Sequence, residues 1–492
     1  MAFAAPLALV VLARSLCVVE GLNNGLAKTP PMGYSTWNHL ECRVREDAVK
    51  EVAEQLLALG LSGLGYRHVN IDDCWMQGSR GADGKLRWQS TFPSGMAAMG
   101  DFLHARGLKY GLYTSRGSGS CVGLAGSLDH ERQDAHTFAA WGVDFLKNDG
   151  CCDTECFAGN NHSTWACGAQ NRRSVLNKYR RMRDGLNSTG RPVLYEVCGW
   201  EPWYAPVGVE LANMFRVGAD VQRWPDVFEA TQLMHQLSGY SQAGSWTHPD
   251  MLIGSTAGAQ WTLTPMQSRA QFTLWSIFPA PLILGVNLLN ISNWDRQTYS
   301  NSEVVQVNQD PLVAMAQRVF CNCGYYPAIS LSSDGYSRFA VRLAQDAEQD
   351  TDVTEGHPFQ DGDGKSADRH QCQQVWARPM RDGSIVLAAV NFADEAAELQ
   401  LPLEVLPLAW RTAGAFRARD LWARADLPDV SAGELHFTLA AGGGHSMLRL
   451  SPRPRLYVRH EARRKRGAFP SLVADVAPWE ASLVRAESWL AR

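Results

Sequence analysis

The sequence predicts an α/β chain, a (β/α)8 TIM barrel followed by a C-terminal antiparallel β-sandwich domain. Three observations carry that prediction. Short apolar runs alternate with amphipathic stretches from about Lys28 to Ile291. Each run ends in polar residues, as in "YRHVNIDD", "LKYGLYTS", "GVDFLKND" and "PVLYEVCGW". After "NQDPL" the pattern changes to short alternating runs split by turn residues. Strand–helix units of this size imply a parallel sheet covered by helices. Their repetition over most of this stretch favours a closed eightfold barrel over an open sheet.

The elements follow in order. The N-terminal "MAFAAPLALVVLARSLCVVEG" carries an apolar stretch from Pro6 to Ala13, interrupted by Arg14. It is too short to span a bilayer and resembles the apolar core of a secretory signal, assigned to residues 1–21. "REDAVKEVAEQLLALGL" places Val49, Val52, Leu56 and Leu59 on one helical face. "GDFLHARGL" and "HERQDAHTFAAWG" are the helical stretches that lead into the next two strands. The barrel is assigned to 22–310 and the sandwich to 311–452, where "QQVWARPM", "GSIVLAAVNF", "AAELQLPL", "ELHFTLAAGG" and "HSMLRLSP" read as strands. The Gly/Asp-rich stretch from Leu343 to Gln371 reads as a long exposed loop. The tail, 453–492, opens on the basic run "RHEARRKRG" and is read as solvated or loosely packed.

Composition narrows the function. With 45% hydrophobic and 20% charged residues the chain is globular, and 492 residues suffice for two domains. A net charge of −4 gives no reason to propose nucleic acid or an acidic membrane surface as partner. No stretch is long enough for stable membrane insertion. Twelve cysteines lack the paired short spacings of a zinc site. Together with N-x-S/T sequons at Asn161, Asn187 and Asn290 they agree with the secretory pathway, where disulfides persist and glycans are added. The 17 tryptophans suit a ligand with flat apolar faces, sugars among them.

Active sites of such barrels form at the C-terminal ends of the strands. The polar residues ending the apolar runs are Asp72 and Asp73, Tyr113, Lys147 and Asp149, Asp220, and Asp250. One such Asp alone is more simply an N-cap of the following helix. Five carboxylates with a lysine at one mouth are a functional set. Lys147 and Asp149 stand two apart on a strand and point the same way, so the cation is expected to lower the carboxyl's pKa and keep it ionised, as a nucleophile requires. Arg216 stands four residues before Asp220. Two carboxyls from different strands, one ionised and one able to carry a proton, are the minimum for glycoside cleavage.

These residues carry a resemblance. "GLAKTPPMGYSTWNHLEC", "YRHVNIDDCW", "GLKYGLYTSRG", "WGVDFLKNDGC", "FRVGAD", "HPDML" and "VNQDPL" resemble, in family order, the motifs of the α-galactosidase family, glycoside hydrolase family 27. "RDLW" and "HSMLRL" are similar to that family's β-sandwich, and the resemblance thins beyond Pro452. It implies a retaining hydrolase of terminal α-galactosides, with Asp149 the nucleophile and Asp220 the acid/base. Asp72 and Asp73 would bind sugar hydroxyls, including the 4- and 6-hydroxyls that mark galactose. Trp37 would stack on the sugar face, and Tyr113, Lys147, Arg216 and Asp250 would line the pocket. It also implies the disulfides Cys42–Cys74 and Cys121–Cys151. No metal or organic cofactor is implied. The oligomeric state stays open, a homodimer among the alternatives, as does the choice between secretion and a lysosomal or vacuolar destination.

The chain departs from the family at three places. In "VCGWEPWY" Gly199 stands where members often carry a glutamate that contacts the 2-hydroxyl; a small residue there accompanies N-acetylgalactosaminidase activity. The alternatives are thus an α-galactosidase, an α-N-acetylgalactosaminidase and, more remotely, a sugar-binding protein on a disabled hydrolase scaffold. Trp203 could close the same gap. "SWTHPDM" puts Thr247 and His248 where Asn-Asp is usual, and "LIGSTAGAQ" replaces a Gly-rich loop. Of the extra cysteines, Cys156–Cys167 is the preferred pair, and Cys198 is read either as a free thiol or as the mate of Cys152. Pairings for Cys321, Cys323 and Cys372 stay open. His68, His130 and His136 read as structural.

Overall fold

The computed structural model describes residues 24–153, 172–200, 202–323, 371–406, 410, 415–431 and 433–453. The signal-like segment, Asn161, Cys156, Cys167, the polar stretch up to residue 370 and the tail from 454 lie outside the described residues.

The eight barrel strands are β1 (Met32–Ser35), β2 (His68–Asn70), β3 (Lys109–Ser115), β4 (Phe145–Asp149), β5 (Leu194–Cys198), β6 (Met214–Arg216), β7 (Trp246–His248) and β8 (Leu282–Leu284). Each pairs in parallel with its sequence neighbour, and β1 also pairs with β8. The circle closes just past β7: the Leu252 amide donates to the Ile283 carbonyl at 2.8 Å, and Gly285 donates to the Leu252 carbonyl at 2.9 Å. These strands are buried on both faces, as expected where helices cover a parallel sheet; in β3 only Lys109 is exposed. Gly33 is needed for a close approach, because a Cβ there would run into the His68 carbonyl of β2.

The outer helices keep their apolar faces inward. Glu46–Ala58 buries Val49, Val52 and Leu56 and opens with Glu46 and Asp47 against the positive end of its dipole. Pro265–Ile277 starts at a capping box, Thr264 with Gln267. It is buried along most of its length because sandwich strands pack on its outer side.

The sandwich comprises β9 (Gln317–Cys321), β10 (Gln373–Pro379), β11 (Ile385–Asn391), β12 (Ala397–Pro402), β13 (Ala415–Asp420), β14 (Ala425–Ser431), β15 (Glu434–Leu439) and β16 (His445–Pro452). Six form an antiparallel sheet in the order β14-β13-β16-β11-β10-β9, and β12 pairs with β15 in a second sheet. One face of the larger sheet, through Val375, Ile385 and Leu387, packs on Leu399, Phe437 and Leu439 of the smaller. Its other face, through Trp376, Val386, Ala388 and Met447, joins the barrel core. Every residue of β11 is therefore buried. Sequence reading omitted β9, β13 and β14. The last is an exposed edge strand carrying Pro428, tolerated where the register slips between Phe416 and Ala418. A disulfide, Cys323–Cys372, ties the end of β9 to the start of β10.

Arg378 on β10 fixes the two domains to each other. It is fully buried, and its Nη1 donates to the carbonyls of Ser276 (3.3 Å) and Val307 (2.6 Å). These lie in the last turns of Pro265–Ile277 and Ser302–Asn308, where helix carbonyls lack intrahelical partners and favour a cation. Arg378→Ala is expected to cost about 2–4 kcal/mol through lost packing and orphaned carbonyls. Arg378→Met, which keeps the stem, should cost less. Thermal melts of both variants check this; equal losses would mean that the carbonyl bonds, and not the stem's packing, carry the effect.

Candidate active site

Parallel strands point their C-terminal ends to one face, and there the polar side chains converge. Asp72, Tyr113, Lys147, Arg216 and Asp250 border one cavity in the barrel's throat, together with Ser35, Asn70, Glu196 and His248. Asp149 ends β4 in the register of Ser115 and Cys198. Trp37 opens the helical turn after β1, half-buried against the core.

Asp72 is bonded on both oxygens. Lys147 Nζ lies 2.9 Å from Oδ2, Ser35 Oγ donates to the same atom at 3.1 Å, and the Asp73 amide donates to Oδ1 at 2.9 Å. Asp73 accepts from the amides of Cys74 (2.7 Å) and Val122 (3.4 Å). Burial nonetheless raises its pKa, and the Asp72 charge adds to the rise.

Asp149 departs from expectation. The ion pair of Lys147 is made with Asp72, two strands away. Burial pushes the Asp149 carboxyl up to about 6, although Lys147 and the Gly150 amide, donating at 2.7 Å, oppose the rise. The charges of Asp220 and Asp72 push in the same direction as burial. The expected lowering by Lys147 is thus outweighed, because desolvation of a carboxylate exceeds the pull of a cation already paired elsewhere.

Arg216 forks between two carboxylates: Nη2 donates to Asp220 Oδ1 and Nη1 lies beside Asp250 Oδ1, both at 2.8 Å. The Asp220 side chain is 31% exposed and that of Asp250 only 1%. Of these two, Asp220 is the one that reaches solvent. Asp250 is held at φ +84°, a costly backbone state for a non-glycine residue. The Val221 amide, donating at 2.7 Å to its Oδ2, and the Trp275 indole, donating at 2.7 Å to its carbonyl, keep it there.

Cys42–Cys74 and Cys121–Cys151 are disulfides, with Cα atoms 5.1 and 4.9 Å apart. The second lies against the site: Tyr113 Oη is 3.2 Å and Asp149 Oδ2 3.1 Å from Cys121 Sγ. These two sulfurs and Asp149 form the one compact His/Cys/Asp/Glu triplet among the described residues, but bonded sulfurs offer no thiolate to a metal. Cys152 and Cys198 are both free, which decides between the two readings of Cys198. Cys321 is also free.

Two residues of the throat were not singled out from sequence as site residues. Glu196 was hidden inside the apolar run of β5, where its one charge, two residues before Cys198, was the available signal. His248 was noted as a departure but given no role. They bond to each other, His248 Nδ1 to Glu196 Oε1, at 2.8 Å.

Comparison with known proteins agrees with this architecture. Residues 29–310 match the family described as alpha galactosidase A, and residues 370–450 match the alpha galactosidase C-terminal beta sandwich domain. Alpha-galactosidase 3 of Arabidopsis thaliana is 31% identical over 86% of this chain and 82% of its own. An alpha-N-acetylgalactosaminidase of Gallus gallus is 36% identical over 61% of this chain and 74% of its own. Among solved structures, alpha-galactosidase I from Mortierella vinacea superposes with a TM-score of 0.68 at 26% identity, covering 87% of this chain and 98% of that one. With the barrel and the sandwich matched in this order, the chain belongs to the α-galactosidase family, glycoside hydrolase family 27.

Proposed function

We propose that this chain is a retaining α-galactosidase in which Asp149 is the nucleophile and Asp220 the acid/base. The observation that carries the reading is the contrast between two electrostatically coupled carboxyls. Asp149 is buried and basic for its type, while Asp220 reaches solvent under the Arg216 fork. Asp149 attacks the anomeric carbon as Asp220 protonates the departing oxygen, giving a glycosyl-enzyme. Asp220 then takes a proton from water, which displaces Asp149. Asp72 and Asp73, with oxygens fixed by backbone amides, read neighbouring sugar hydroxyls, and Trp37 stacks on the sugar face. Lys147 and Arg216 contribute remaining donors, Tyr113 walls the site beside the Cys121–Cys151 bridge, and Asp250 holds Arg216 in place.

A second reading, α-N-acetylgalactosaminidase, draws on Gly199, which follows β5 without a side chain, and on the Gallus gallus relative. Trp203, a few residues on, is buried in the barrel's hydrophobic core. Passage through the secretory pathway is supported by three disulfides among the described residues. No helix among them is long and apolar enough to cross a membrane.

4-Nitrophenyl α-galactoside should be hydrolysed with the α-anomer of galactose as first product by NMR, and the matching N-acetylgalactosaminide far more slowly. The reverse preference would establish the second reading. Asp149→Asn should abolish turnover yet raise Tm at neutral pH. The sign follows from the raised folded-state pKa: stability present below the unfolded value near 3.8 is lost as pH rises through about 6, so an ionised Asp149 opposes folding and a neutral amide does not.

The same group sets the pH profile. Because Asp149 must be ionised to attack, kcat/KM should fall as pH drops through about 6. Lys147→Met removes a cation that favours ionisation, so this acid limb should move to higher pH, whatever the loss in absolute rate. A limb unmoved or moved to lower pH would detach Asp149 from the profile.

A further inference from the structure

The mechanism above leaves one hydrogen-bonded pair in the throat without a role. Glu196 on β5 and His248 on β7 meet across β6, Oε1 to Nδ1 at 2.8 Å, with side chains only 4% and 3% exposed. Glu196 neighbours Lys147 in the β4–β5 register, and His248 neighbours Arg216 in the β6–β7 register. Both border the cavity that Asp72, Lys147 and Arg216 share.

The bond to Glu196 fixes the ring. Burial works against ionisation of Glu196, but His248, Lys147 and Arg216 together hold it below the usual glutamate range. An ionised carboxylate only accepts, so His248 Nδ1 carries the hydrogen. That leaves Nε2 as the free end of the ring, and it is buried without a hydrogen-bond partner among the described residues. Asn70 Oδ1, on β2 and bordering the same cavity, is buried without a partner as well. Buried polar atoms are nearly always satisfied, and two that border one cavity are placed to bond whatever occupies it, water or a ligand group. A hydroxyl can donate to a neutral imidazole or accept from a charged one, so it satisfies Nε2 in either state.

We propose that His248 is a substrate-reading residue whose Nε2 bonds a ring hydroxyl of the glycoside at the deep end of the pocket, and that Glu196 is the positioning residue that fixes its tautomer and orientation. This rests on the galactosidase reading above. Because this reader is an imidazole oriented from another strand, its contribution depends on two residues and not one.

The test compares wild type, His248→Asn, His248→Phe and Glu196→Gln on 4-nitrophenyl α-galactoside and its four monodeoxy analogues. On the parent substrate His248→Asn and His248→Phe should lose about 10- to 100-fold in kcat/KM. On one analogue, the one lacking the hydroxyl that His248 reads, wild type has already lost that bond, and the further loss should be less than about threefold. Glu196→Gln should show the same analogue dependence with a smaller loss, since its amide oxygen still accepts from Nδ1. Equal losses on every analogue, with melting curves like wild type, would reduce the pair to a wall of the cavity and overturn the proposal, as would no loss at all. Should the His248 variants fail to fold, Glu196→Gln carries the same comparison. An absence of wild-type turnover on the galactoside would instead overturn the galactosidase reading. Calorimetric binding of galactose and its deoxy forms would then test His248 by itself, with one deoxy sugar insensitive to the substitution or none.

Discussion

The cost of burying carboxylates in the throat of a barrel governs this molecule. Parallel strands about 4.8 Å apart bring the ends of eight strands together, and here six of the gathered side chains are acids: Asp72, Asp73, Asp149, Glu196, Asp220 and Asp250. Two permanent cations serve them. Lys147 is committed to Asp72, and Arg216 to Asp220 and Asp250. Glu196 has His248. Asp149 is left with the Gly150 amide and the pull of Lys147, so burial dominates and its carboxyl is pushed up to about 6. Asp73 likewise has no cation of its own among the described residues and is raised by burial, so the attacking role proposed for Asp149 rests on its place at the end of β4 within reach of the Asp220 charge and not on the allocation of cations alone.

That arrangement needs a stiff frame, because breaking one partner out of a buried charge pair costs about 3–5 kcal/mol. Part of the frame is local. Cys121–Cys151 braces the wall at Asp149, and the strained backbone of Asp250 is held by the Val221 amide and the Trp275 indole. Part is remote. The sandwich lays one face of its larger sheet on the barrel, with Arg378 reaching the last turns of two barrel helices. One of these, Pro265–Ile277, supplies the indole beneath Asp250. Through that helix the sandwich backs the site, and none of its described residues borders the cavity.

The fold was legible because burial on both faces writes strands as apolar runs, and because polar residues at their ends have no packing reason to be there. Asp72, Lys147, Arg216 and Asp250 could be found that way, and the structure brings them to one cavity. What sequence could not give was pairing across strands. Adjacency on β4 suggested that Lys147 serves Asp149, whereas its ion pair skips β3 to Asp72. Glu196 was masked by the apolar residues on either side of it, and its partner is 52 residues away. The edge strand β14 escaped because exposure removes the alternation that marks a strand, and Pro428 argues locally against one.

The proposed chemistry turns on Asp149 as the attacking group, and trapping the glycosyl-enzyme tests that role. An activated fluorinated galactoside, which forms the glycosyl-enzyme but turns it over slowly, would be incubated with the full chain, followed by proteolysis and mass spectrometry. One equivalent of sugar is expected on the peptide containing "FLKND", with fragmentation locating it on Asp149. Sugar found on Asp220, Glu196 or Asp250 would contradict it, as would time-dependent inactivation without a covalent adduct.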